Sequence, residues 1–279
     1  MSENILTLSE HFHSVQGEGI YCGVPSYFLR FSRCNLLCGG KNGELVKEGK
    51  ATWFCDTMKL LGKKKDVSFS EILKSLIEND IVRIIEDNFN KTFLEFDSSV
   101  HFVLTGGEPL LPEYTKQFTS FLKYLFNEND IKIKRNSNVT IEVETNGTQL
   151  PFDLENLIKE TGIVLEEGSN IVFHYNCSPK LSNSGNSYEK RTNIYAVEQI
   201  KKYPHIFKFV FSEENDLKEI FLLKDIFSLK DDEIVIMKAM TRQSDFNQAI
   251  KDSFKMSTKY NIRMSPRLHI AAFDNAQGV

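Results

Sequence analysis

Three cysteines carry the most specific chemistry in this sequence. Three residues separate Cys34 from Cys38, and sixteen more separate Cys38 from Cys55, which lies in Trp53-Phe54-Cys55-Asp56-Thr57. Three thiolates gathered on one loop can ligate three irons of a [4Fe–4S] cluster and leave the fourth iron open to a further ligand. With a fourth ligand from His11, His13 or Cys22 the same thiols would suit zinc, and unconnected buried thiols are a third reading. Cys22 and Cys177 read as core or loop thiols, with Cys22 the one expected nearer the site.

Other polar clusters need a partner before they mean anything. In Thr105-Gly106-Gly107-Glu108-Pro109, paired glycines let a ligand approach the backbone closely, although an ordinary strand-to-helix turn looks the same. Glu144, opening Glu144-Thr145-Asn146-Gly147, ends a buried strand and must find a partner there. Ser178-Pro179-Lys180 sets a hydroxyl and an ammonium on one rim, and alone is a plain loop. Gln16-Gly17-Glu18-Gly19 reads either as a flexible turn or as a loop suited to the edge of a heterocycle. Arg30, inside a mostly apolar strand, requires an anion from the protein or from a ligand. Ser265-Pro266-Arg267-Leu268-His269 offers two more groups for an anion, or simply surface charge.

The elements that must position these clusters follow from apolar runs bounded by turn residues. Strands are expected at Tyr27–Phe31, Val100–Leu104, Thr140–Glu144, Ile171–Tyr175, Phe207–Phe211 and Ile234–Met237, after a short N-terminal strand. Several are nearly all apolar, as strands covered on both faces are. Helical spacing predicts helices over Ser70–Asn88, with Ser70 as N-cap, and near Glu113–Phe126, Leu154–Glu160, Asn193–Lys202, Asp216–Phe227 and Asp245–Lys259. Loops are expected at Gly39–Lys50, Lys63–Asp66 and Leu181–Tyr188. This alternation implies a parallel sheet, and about six such units imply an α/β fold of the incomplete, TIM-like β/α barrel type. The clusters RFSRCNLLC, LTGGEP, VETNG, YNCSPK and MKAMTR all follow strands, and strand C-termini in such a barrel open on one functional face.

The chain of 279 residues reads as one domain, 1–279, with insertion loops near 39–52 and 127–138. A net charge of −4, from 34 basic and 38 acidic residues, calls for neither nucleic acid nor membrane as partner. The N-terminus lacks the basic and apolar regions of a signal peptide, and no stretch approaches the ~18 apolar residues of a membrane span. A cytoplasmic location follows as the expectation, where thiols stay reduced and cysteines serve better as metal or redox ligands than as disulfides.

With the three-cysteine loop, TGGEP, ETNG and SPK in this order, the sequence resembles the radical S-adenosylmethionine superfamily. SVQGEGIYCGVPSYFLRFSRCNLLC near the N-terminus, and RMSPRLHI and NAQGV near the C-terminus, are similar to one member family, the 7-carboxy-7-deazaguanine synthases. The resemblance runs nearly end to end and thins at 39–52, 63–69, 127–138 and 181–192. It implies a radical lyase that converts 6-carboxy-5,6,7,8-tetrahydropterin to 7-carboxy-7-deazaguanine with loss of ammonia. Carried over by position, Cys34, Cys38 and Cys55 would ligate the cluster. Phe54, Cys55, Asp56, Gly107, Glu144, Ser178, Pro179 and Lys180 would form the S-adenosylmethionine site. Val15, Gln16, Gly17, Arg30, Thr105, Arg267 and His269 would contact the pterin, and Thr57 a Mg²⁺ ion. An electron donor such as flavodoxin or ferredoxin, and a homodimer, are implied with it.

One departure stands out. The superfamily's common spacing leaves two residues between the second and third cysteines, where this chain has sixteen. The Gly/Lys/Glu-rich segment Gly39–Ala51 is therefore expected to loop out and return Cys55 to the cluster, with Cys22 the nearby substitute for Cys38. The competing readings are another radical enzyme, such as a glycyl-radical activase, and a non-catalytic zinc-binding protein.

Overall fold

Alternation along the strands decides what each side of the sheet does. The computed structural model describes residues 4–86, 92–128, 131–133, 138–161, 168, 170–240, 242–274, 276 and 278. Among these the strands are β1 (Ile5–Val15), β2 (Pro25–Phe31), β3 (Lys65–Ser68), β4 (Val82–Glu86), β5 (Thr92–Phe96), β6 (His101–Gly106), β7 (Ile131–Ile133), β8 (Asn138–Thr145), β9 (Asn170–Cys177), β10 (His205–Phe211), β11 (Ile234–Lys238) and β12 (Arg263–Met264). The main sheet has the order β12-β11-β10-β9-β8-β6-β2-β1-β3, and β4-β5-β7 form a small second sheet. From β2 to β12 every neighbouring pair is parallel, while β1 pairs antiparallel with both β2 and β3. All six expected core strands are present, and the two-residue β12 extends the parallel run. The sheet is open, with β12 and β3 at its two ends.

The strands are not apolar on both faces, as the sequence suggested. Tyr27, Leu29 and Phe31 of β2, Val139, Ile141 and Val143 of β8, Ile171, Phe173 and Tyr175 of β9, and Phe207, Phe209 and Phe211 of β10 join one apolar core. Helices supply its other half, with Ile72 and Leu76 from Phe69–Glu78, Phe118 and Phe121 from Pro112–Glu128, and Leu217 and Ile220 from Asp216–Ile226. The residues between them have the opposite parity and include Arg30, Glu142, Glu144, His174, Asn176 and Lys208. Burial of both faces holds; apolarity holds for one.

Expectation and structure part most clearly at residues 70–88. One helix was expected there; the helix spans Phe69–Glu78, and Val82–Glu86 is strand β4. Ser68 rather than Ser70 is the cap, its hydroxyl accepting the Glu71 N–H at 3.1 Å. Asp80 adopts a left-handed φ of 57°, which ends the helix, and the Val-Arg-Ile-Ile run then pairs antiparallel with β5. Residues 87 and 88 lie outside the described residues. Smaller differences occur in expected loops: Lys65 and Asp66 open β3, a 3₁₀ turn and a one-turn helix occupy Lys41–Lys47, and 3₁₀ turn Ser182–Ser184 precedes helix Tyr188–Arg191. Of the 127–138 segment, Glu128 closes the preceding helix and 131–133 form β7; 129–130 and 134–137 lie outside the described residues.

Under the site lies a histidine-rich floor. Tyr21 meets His101 and His174 edge-on, with ring centroids 4.8 and 4.9 Å away. Burial pushes His174 down to about 4, and the charges of His205 and His101 add to this while Glu142 opposes it. An imidazole kept neutral in the fold stabilises it fully above its unfolded value of about 6.5, and that stability drains away as pH falls toward 4. At 1.36 kcal/mol per unit the whole effect is about 3 kcal/mol. His174→Phe is therefore expected to lose less stability than wild type between pH 7 and pH 4.5 in urea unfolding of the metal-free protein. Equal losses would remove His174 from the acid response.

Candidate active site

The loop Gln16–Val24 and the segment Ser265–His269 are built against each other. The Leu268 N–H donates to the Gly17 carbonyl (3.0 Å), and the Gly19 N–H to the Ser265 hydroxyl (2.7 Å). A Cβ on Gly17 would stand 2.5 Å from His269 Nδ1, so only glycine permits this approach. Together they wall a cavity of about 250 Å³, room for ligand groups rather than for single waters of about 30 Å³.

Its opposite wall carries the thiols. Cys34, Cys38 and Cys55 all line the cavity, as do Phe54, Asp56 and Thr57. The sixteen-residue excursion closes on itself, because the Cys55 N–H donates to the Cys38 carbonyl at 3.1 Å. A Cβ on Gly39 would fall 2.5 Å from Phe54 Cα, which brings the two ends of the loop into backbone contact. The excursion also docks outward: Gly39 N–H donates to Ser184 O, Thr52 N–H to Asn183 O, and Trp53 Nε1 to Asn183 Oδ1, at 2.8–2.9 Å. Cys22 is not part of this wall.

The thiols sit in surroundings that suit thiolates once a cation arrives. Burial pushes Cys34, Cys38 and Cys55 up to about 11 each. Against this, Leu36 N–H donates to Cys34 Sγ (3.4 Å), Asn186 Nδ2 to Cys38 Sγ (3.4 Å), and the Lys180 ammonium favours all three thiolates. Among the described residues no three His, Cys, Asp or Glu side chains converge on one ion. Ligation of a cluster asks for less, because each thiolate takes a different iron. The donor set therefore fits a cluster.

TGGEP holds the cysteine loop in place. Gly107 N–H donates to Phe31 O (3.0 Å) and Glu108 N–H to Arg33 O (2.8 Å), while a Cβ on Gly107 would lie 1.8 Å from that same Arg33 oxygen. The Glu108 carboxylate, fully buried, accepts from Leu110 N, Thr145 Oγ1 and Asn146 N at 2.8–3.1 Å. Asn146 Nδ2 then donates to the side-chain oxygen Oδ1 of Asn35 (2.9 Å) and to Cys34 Sγ (3.8 Å).

Between the two walls runs a ladder of buried charge. Lys208 Nζ donates to Glu18 Oε2 (2.6 Å) and Glu144 Oε2 (3.0 Å). Arg267 donates to Glu18 Oε1 through Nε (2.8 Å), to Met240 O through Nη1 (2.6 Å), and to Asp56 through Nη2. Gln16 and Asn176 donate to Glu142 (3.0 and 2.8 Å) and to Glu144 (3.4 and 3.0 Å), and His101 Nδ1 lies 2.7 Å from Glu142. Burial works against the Glu18 carboxylate, yet Lys208, Arg267 and His269 hold it well below the usual range. Glu144 fares differently: burial raises it, with Lys208 only partly offsetting that.

Every expected site residue except Pro179 lines this cavity; Ser178 and Lys180 flank that proline on the wall. Two of the cations arrive already engaged. Arg30 Nε is 2.8 Å from Glu10, so the protein anion left open by the sequence is present, although Arg30 also lines the cavity. Arg267 clamps Glu18 to Asp56. Thr57 is buried, and its hydroxyl donates to Asp56 (3.2 Å). Sequence reasoning missed Lys208, Glu142 and Asn176. Their signal was a charged or amide side chain inside an apolar strand, as in Phe207-Lys208-Phe209, which must be paired when buried.

Iron and sulfide counts after anaerobic reconstitution should fall to near zero in Cys38→Ala and stay at the wild-type level in Cys22→Ala. The opposite pattern would give the third position to Cys22. In the metal-free protein, alkylation of the three thiols should be slow near pH 7 and climb about tenfold per pH unit toward pH 11. Fast labelling at neutral pH would mean the thiols are not buried as described.

No family model matches the chain. The chain is 25% identical over 296 residues to the 7-carboxy-7-deazaguanine synthase of Halobacterium salinarum, covering 97% of this chain and 91% of that one. To the synthase of Aquifex aeolicus it is 25% identical over 272 residues, at 96% and 94% coverage. To that of Thermoplasma acidophilum it is 31% identical over 147 residues, 46% of this chain and 69% of the relative. Among solved structures, QueE from Escherichia coli shares the fold, with a TM-score of 0.51, 18% identity, and 94% and 93% coverage. Relatives of the same description align along nearly the whole length, and one of 31% identity is covered over 69% of its own: the chain belongs to the 7-carboxy-7-deazaguanine synthase family.

Proposed function

We propose that this enzyme is a radical S-adenosylmethionine lyase that converts 6-carboxy-5,6,7,8-tetrahydropterin to 7-carboxy-7-deazaguanine with release of ammonia. The observation that carries the reading is the closure of the long cysteine excursion, with Cys55 N–H on Cys38 O at 3.1 Å, opposite the Gln16–Gly19 loop across one cavity. When bound, the [4Fe–4S] cluster and S-adenosylmethionine supply the one-electron chemistry that removes hydrogen from carbon 6 of the pterin. Cys34, Cys38 and Cys55 would hold the cluster.

The chain's own part is binding, orientation and exclusion of water. Phe54, Asp56, Gly107, Glu144, Ser178 and Lys180, which line the cavity, would form the S-adenosylmethionine side together with Pro179. Val15, Gln16, Gly17, Arg30, Thr105, Arg267 and His269 would form the pterin side. Glu18 belongs with them, since its charge is held by Lys208 and Arg267 whatever the ligand's protonation. Thr57 would carry Mg²⁺ against the substrate carboxylate; such ions take oxygen ligands and keep waters. Arg30 would meet the same carboxylate with the donors that Glu10 leaves over.

We also read residues 1–279 as one domain, and the open sheet as an incomplete barrel whose parallel strands from β2 to β12 follow the chain in order, with β1 and β3 added antiparallel at one edge. The enzyme would work in the cytoplasm as a homodimer, reduced by a flavodoxin or ferredoxin. No described helix is long and apolar enough to cross a membrane.

Anaerobic incubation of the reconstituted enzyme with a strong reductant, S-adenosylmethionine and the carboxytetrahydropterin should yield the deazaguanine acid. Omitting Mg²⁺ should lower the rate. Absence of product from protein with full iron and sulfide content would end this reading; a rate unchanged by Mg²⁺ would end the role of Thr57.

A further inference from the structure

We propose that Lys208 is a positioning residue that keeps Glu144 ionised and ties it, through a single ammonium, to Glu18 on the opposing loop. Its catalytic consequence rests on the function proposed above; its electrostatic consequence does not.

The geometry isolates the pair. Lys208 is 3% exposed and reaches inward from β10, while its neighbours Phe207 and Phe209 face the apolar core. Around Glu144 stand Asn176 from β9, Gln16 and Glu18 from the loop, Glu142 two residues earlier on its own strand, and Lys208. Among the described residues, Lys208 is the one cation paired with Glu144. Glu18 has one other, Arg267, while burial holds the imidazole of His269, 3.8 Å away, toward its neutral form. Glu142 and Glu18 press on Glu144 with like charge, and burial presses in the same direction.

Removing the ammonium therefore affects the two carboxylates unequally. Glu18 keeps Arg267 and stays an anion. Glu144 is left half-buried beside two like charges and takes up a proton, since an uncompensated, largely desolvated charge costs more than a neutral acid. A protonated Glu144 presents a donor to the cavity where the native enzyme presents an acceptor. Loss of the bridge also removes the direct tie between the Gln16–Gly19 loop and β10, while Arg267, Ser265 and Leu268 still hold the loop.

The test compares Lys208→Met with Lys208→Arg, first in cluster-free protein at neutral pH. The infrared difference spectrum of Lys208→Met against wild type should contain a new carboxylic-acid C=O band, which adding Glu144→Gln abolishes. Lys208→Arg should show no such band. A folded Lys208→Met without the band overturns the proposal. If Lys208→Met does not fold, the charge-balanced double variant Lys208→Met/Glu144→Gln decides: a folded double supports charge compensation, and an unfolded one overturns it in favour of packing. In the loaded enzyme, kcat/KM should fall about a hundredfold in Lys208→Met. It should rise with pH as Glu144 ionises and recover in Lys208→Arg. A band without any loss of turnover overturns the positioning role. Failure of wild type to turn over the pterin would sink the functional reading alone, because the band is read without substrate or cluster.

Discussion

Everything at the site depends on how closely the Gly107 backbone lies against the Arg33 carbonyl. That contact requires a residue with no Cβ, and it seats the loop after β6 directly under the loop after β2. Glu108 then extends the seat to the loop after β8, where its carboxylate is saturated by two backbone N–H groups and one hydroxyl. A buried carboxylate with three donors is an efficient joint, because any rearrangement would strand it. Cys34 is thus located by backbone and side-chain contacts through three strand ends as well as by its own loop.

The sheet divides labour by parity. Core-facing residues bury apolar surface against the helices, while residues of opposite parity face a polar interior. Such an interior is tolerable only when each charge is answered, and the ladder from Asp56 through Arg267, Glu18 and Lys208 to Glu144 alternates in sign at every step. Alternation also fixes distances, since each ammonium or guanidinium is held from two sides. Orientation of the cavity walls relative to each other is therefore an electrostatic property of the ladder as much as a property of the sheet.

Much of this was readable in the sequence. The six core strands were legible because apolar runs of four to six residues bounded by turn residues have few alternatives, and the site clusters because they follow those strands. The helix over residues 70–88 misled because Ile81, Ile84 and Ile85 fit both a helical and an extended period; the left-handed Asp80 decided between them. Lys208 and Glu142 went unread because parity has meaning only once a face is assigned. Whether Arg30 and Arg267 would meet protein or ligand anions depended on contacts across 20 and 249 positions, with Glu10 and Glu18, beyond any local pattern.

The docking of the cysteine excursion on Asn183 and Ser184 has a consequence for the order of assembly. Closing a loop of this length costs entropy that one backbone hydrogen bond does not recover, and the offsetting contacts come from a segment some 130 positions downstream. The thiol wall is thus a high-contact-order feature, completed only after β9 has joined the sheet. A thiol wall assembled from such distant contacts differs from small zinc modules, whose ligands are neighbours and whose metal nucleates the fold. On the function proposed above, iron and sulfide would be delivered to a chain whose sheet has already formed.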